Sequence, residues 1–140
     1  MPDGRPLTYL SSRNMDSYDP SKTPDSVEWQ ALDESEQLIL VESFHLDANE
    51  EVPEGGAVLH ASFHVVVENQ IAMGVEPVPA TVSKLTRQGL SRHEAIHAVA
   101  AIISENMNDL LQGNATTWDA KSYRRRLEKL TAKRWKKGQW

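Results

Sequence analysis

Apolar positions recur at helical spacing along most of this chain. The longest example is Ser91–Gly113, SRHEAIHAVAAIISENMNDLLQG, where Ile96, Val99, Ile103, Met107 and Leu110 form one stripe. Ser91 stands where an N-cap is wanted, with Glu94 three residues on as the partner of a capping box. Gly113 suits the left-handed residue after the helix. An earlier segment, AVLHASFHVVVENQIAMG (Ala57–Gly74), has Leu59, Phe63, Val67 and Ile71 at the same spacing and a glycine stop. Its Val65-Val66-Val67 run favours a strand locally, but length and spacing favour a helix.

The remaining pattern fills in around these two. Thr23 as N-cap and Pro24 at the first helical position predict a helix start, with a break at Asp33-Glu34 and a second helix to Asp47. Trp29, Leu32, Leu38, Val41, Phe44 and His45 are its core candidates. Ala48–Gly56, acidic with Pro53 and paired glycines, reads as a loop. Ala80–Gln88 is a short helix before Gly89. A last helix begins near Trp118 or Asp119, with Tyr123, Leu127 and Leu130 as its apolar edge. Residues 1–23 are polar and weakly patterned, an extended or partly disordered lead-in that Tyr9, Leu10 or Tyr18 could pin to the body. The expectation is an all-α fold, a compact antiparallel bundle of four to five helices, with residues 24–140 as a single domain ending in a basic helix.

Charge changes the picture at one end. From Asp119 onward nine Lys/Arg face two acids, leaving +7 there and −12 on the remainder, for a net −5 over 140 residues. An acidic body with a basic arm suits docking within the chain or in a homo-oligomer, and nucleic acid as the less favoured partner of the tail. There is no cysteine, which excludes disulfides, thiolate metal sites and cysteine nucleophiles. No apolar run is long enough for a membrane span and no signal-peptide pattern opens the chain, so a cytoplasmic protein with no membrane partner is expected. Neither a Gly-rich phosphate loop nor a Gly-x-Ser-x-Gly elbow occurs.

The chemistry candidates are the histidines. Four of five form two i, i+4 pairs, His60/His64 and His93/His97, each on the inner side of an apolar helix. Two imidazoles one turn apart can address one ion, and two such pairs with Glu68 as ligand or supporting partner make an all-N/O metal site. Zinc leads that expectation, followed by iron and nickel. His45, alone on its helix, reads as structural. His93-Glu94-x-x-His97 also matches the HExxH zinc-hydrolase pattern, in which Glu94 would be the catalytic base. Ala100 and Ile103 stand where a metzincin needs Gly and His, and Glu94 already has a capping role. The readings competing with a metal site are core-edge histidines bonded to carboxylates or backbone, and a non-enzymatic interaction module.

LHASFHVVVENQIA (Leu59–Ala72) and GLSRHEAIHAVA (Gly89–Ala100), with the Tyr18-Asp19-Pro20 lead-in, resemble a family of small bacterial proteins of unknown function. That family pairs an HxxxH…ENQ helix with an HEAxH helix. The resemblance implies a helical fold and a metal site, and carries no activity.

Overall fold

The computed structural model describes residues 15–47 and 57–140. Seven helices occur among them and no strand: α1 (Ser26–Ala31), α2 (Glu34–Asp47), α3 (Ala57–Ala72), α4 (Val78–Arg87), α5 (Arg92–Leu111), α6 (Ala120–Lys129) and α7 (Ala132–Lys136). The all-α expectation holds. Five helices have ten residues or more, and the short α1 and α7 supplement them. The chain divides into two compact units, one reaching to Met73 and one from Gly74 to Trp140. Tyr9, Leu10 and the Ala48–Gly56 loop lie outside the described residues.

In the first unit, α1 and α2 both pack on α3. The first helix begins two residues later than the sequence suggests. Its cap is Asp25, not Thr23, and the Asp25 carboxylate accepts the N–H groups of Val27 and Glu28, both at 3.0 Å. A carboxylate can take two of the donors that a helix start exposes and also favours the positive end of the dipole. The break falls at Leu32-Asp33 and is set by a reciprocal box. Asp33 accepts from the Glu36 N–H at 2.8 Å, and Glu36 Oε1 accepts from the Asp33 N–H at 2.9 Å.

Tyr18, Trp29, Leu32, Val41, Ala61 and Val65 form the core of this unit. The inward face of α3 differs from the expected one. Leu59 is 57% exposed, whereas Ala61, His64, Val65, Val67 and Glu68 are buried. Two of the five inward positions are thus polar, and each requires a partner. Asn69, beside them, takes the Trp29 indole N–H at 2.8 Å and the Gln37 amide at 3.2 Å. Gln37 also donates to the Trp29 carbonyl at 3.0 Å. One amide oxygen on α3 therefore holds both α1 and α2.

In the second unit, α5 packs with α4 and α6, and α6 also meets α4. Ala95, Ile96, Ala98, Val99, Ile102 and Ile103 are buried; Met107, the last but one of the expected stripe, is 42% exposed. Gly89 (φ 104°) ends the α4 turn, where Leu90 N–H reaches back to the Leu85 carbonyl at 3.1 Å. Asp119 caps α6 through the Ser122 N–H at 3.0 Å. Tyr123, Leu127 and Leu130 are buried, so the basic segment is docked by the apolar edge that the sequence marks. Arg126 adds bonds to the Asn106 side chain and, at 3.0 Å, to Asp109 on α5.

Candidate metal centre

His60 and His64 sit one turn apart on α3, and His45 reaches them from α2. The His45–His60, His45–His64 and His60–His64 ring centroids are 4.5, 4.8 and 4.9 Å apart. His64 is 1% exposed, His45 is also buried and His60 is half-buried. The Nε2 atoms of His45 and His60 are 3.0 Å apart.

Backbone and side-chain partners assign two of these rings. His45 Nδ1 lies 2.8 Å from the Val41 carbonyl. A carbonyl only accepts, so the proton is on Nδ1 and the Nε2 lone pair is available. For His64, the neighbour is the Tyr18 hydroxyl, 3.1 Å from Nδ1. That hydroxyl donates its single proton to Glu68 Oε2 at 2.6 Å. With its proton so used, Tyr18 accepts from His64. Nδ1 again carries the proton and Nε2 again keeps its lone pair.

His93 and His97 occupy the first two turns of α5, with ring centroids 4.3 Å apart, and both are half-buried. The helix start is fixed by Ser91, whose hydroxyl accepts the Glu94 N–H at 3.0 Å. Glu94 itself is exposed. Among the described residues its carboxylate does not return a bond to the Ser91 N–H, so only half of the expected capping box forms, an outcome available to a side chain that water can solvate.

One ligand nitrogen from each of His45, His60, His64, His93 and His97 lies within 4.8 Å of all the others. The four paired histidines are among these five. His45 joins them, although its sequence position reads as structural. The signal for it was weak: an isolated histidine among the apolar positions of α2, with no partner one turn away. Glu68 is not in that nitrogen cluster; its carboxylate takes the Tyr18 hydroxyl and stands behind His64. Glu94 is not in the cluster either.

Comparison with family models, curated proteins and solved structures finds no match for this chain. No helix among the described residues is long and apolar enough to cross a membrane.

Proposed function

We propose that this protein binds a divalent transition-metal ion through its histidine cluster, with zinc the first expectation and iron or nickel next. The observation that carries the reading is the gathering of five imidazole nitrogens within 4.8 Å. Two nitrogens on one tetrahedral zinc, each at 2.0–2.1 Å from the metal, lie about 3.3 Å from one another. The 3.0 Å between His45 Nε2 and His60 Nε2 is close to that separation. Nitrogen donors without thiolate suit zinc, iron(II) and nickel(II) alike. Four imidazoles complete a tetrahedral shell. The fifth then stays outside it or serves an ion of higher coordination number.

The resemblance to small bacterial proteins with paired HxxxH and HEAxH helices agrees with a metal-binding role. An HExxH hydrolase has less support, because Glu94 is exposed and Ala100 and Ile103 depart from the metzincin pattern. A second reading rests on the same 3.0 Å contact: a protonated Nε2 of His60 donating to His45, in a metal-free imidazole network.

Elemental analysis of protein purified without an affinity tag separates the two. The metal reading expects near-stoichiometric zinc, iron or nickel and a melting temperature that falls on chelation. A ligand bound at 100 times its Kd stabilises the fold by about 2.7 kcal/mol, so the fall is measurable. Metal-free protein that neither takes up these ions nor changes its melting temperature with them sinks the proposal.

A further inference from the structure

Tyr18 belongs to no helix, yet it is 4% exposed and sits at the centre of the first unit's aromatic contacts. Its ring meets Trp29 at 5.8 Å, Phe44 at 6.2 Å and His64 at 5.8 Å between centroids. Its hydroxyl spans Glu68 and His64 at 2.6 and 3.1 Å. Glu68 is 1% exposed, and a buried carboxylate needs such a donor.

We propose that Tyr18 is a positioning residue for the histidine cluster: relayed through its hydroxyl, Glu68 fixes His64 as the Nδ1–H tautomer, aims Nε2 at the ion, and so couples metal binding to docking of residues 15–23. The inference rests on the metal reading above. Three facts carry it. The carboxylate and hydroxyl form one directed chain ending on His64 Nδ1, and that chain allows only one tautomer. A carboxylate behind a ligating imidazole also raises its basicity, and such supporting groups typically matter 10–100-fold for metal affinity. Finally, the hydroxyl is supplied by a segment outside any helix, seated on the core by the buried Tyr18 ring together with Met15 and Pro20. A group that improves metal affinity when seated must be held more firmly when metal is bound, by the same factor.

The test uses the full chain, stripped by chelation and titrated with zinc against a chromophoric chelator, as wild type, Tyr18→Phe and Glu68→Gln. Tyr18→Phe keeps the ring in its aromatic contacts and deletes only the relay. It should bind zinc roughly 10–100-fold more weakly while keeping the helical content of the wild type. Glu68→Gln keeps an oxygen for the Tyr18 proton and loses the charge, so its zinc affinity should fall between the two. Imidazole nitrogen shifts in the metal-free protein should report Nδ1–H at His64 in the wild type and a mixed tautomer in Tyr18→Phe, a change that a purely packing role would not produce. Zinc should slow amide exchange across residues 15–23 in the wild type and do so less in Tyr18→Phe. If the wild type binds zinc and Tyr18→Phe binds it equally well, the relay is wrong and the metal site stands. If zinc leaves exchange in residues 15–23 unchanged, the coupling is wrong. A wild type that takes up none of zinc, iron and nickel overturns the metal reading and the relay together.

Discussion

His45 Nδ1 points at the carbonyl of Val41, one turn back on its own helix, at 2.8 Å. That contact gives an isolated histidine a fixed direction. The carbonyl holds the proton on Nδ1, fixes the ring, and leaves Nε2 facing His60 Nε2 at 3.0 Å. Substituting His45 therefore removes a donor from the cluster. His45→Ala should lower metal affinity and bound metal per chain, measured by competition titration and elemental analysis. His45→Ala that retains wild-type affinity would place His45 outside the ligand shell, leaving the four paired histidines to hold the ion.

Much of this was legible in the sequence, for identifiable reasons. Helix α5 was predicted nearly to the residue, because Ser91 and Gly113 are strong local punctuation around a periodic apolar run. The two histidine pairs were legible because i, i+4 is a helical relation that needs no tertiary information. The inward face of α3 was legible only in part. His64 lies inward, as its place beside Val67 and Ile71 suggests, but Leu59 turns outward, and the burial of Glu68 depends on the Tyr18 hydroxyl, fifty residues away in sequence. The place of His45 in the cluster was not legible, because it is a contact across fifteen residues to His60. The Asp33/Glu36 box was present in the sequence as D-x-x-E and marks the break that was expected there.

Asn69 offers a direct measure of how the first unit is held. Its Oδ1 accepts from Trp29 Nε1 and Gln37 Nε2, so deleting it strands two donors beneath α1 and α2. Trp29 is buried, and an unsatisfied buried donor costs about 1–3 kcal/mol. Asn69→Ala should destabilise the protein by that order in denaturant unfolding, and Asn69→Asp, which keeps an acceptor, should cost less. Equal losses in both variants would mean that packing, not the shared acceptor, sets the cost.

Lys84 donates from α4 to the Leu127 and Glu128 carbonyls in the last turn of α6, at 3.4 and 3.1 Å. Burial pushes its ammonium below the ordinary lysine range, and the Glu128 carboxylate pulls partly back. In the window between the lowered folded value and the unfolded value near 10.4, the unfolded chain binds more protons. The contribution of Lys84 to stability therefore rises as pH climbs through that window. The stability difference between wild type and Lys84→Met should accordingly shift toward the wild type from neutral to alkaline pH. A difference that stays flat, or falls, would show that the Glu128 attraction outweighs burial.

Ser91 and Glu94 divide two roles that the HExxH pattern places side by side. The Ser91 hydroxyl takes the Glu94 N–H at 3.0 Å, a bond that any residue but proline at position 94 could supply because it uses the backbone. The Glu94 carboxylate is exposed and adds only its charge near the positive end of α5, worth about 0.3–1 kcal/mol. Ser91→Ala should therefore cost about 1 kcal/mol, while Glu94→Gln should cost no more than its charge contributes, about 0.3–1 kcal/mol. Both should leave metal content unchanged, since neither side chain belongs to the nitrogen cluster. The informative exception is catalytic. If the metal-loaded protein turns over an ester, amide or phosphoester substrate, and Glu94→Gln abolishes that turnover with melting temperature and metal content intact, then Glu94 is a general base. The chain would then be a hydrolase that uses its HExxH residues after all.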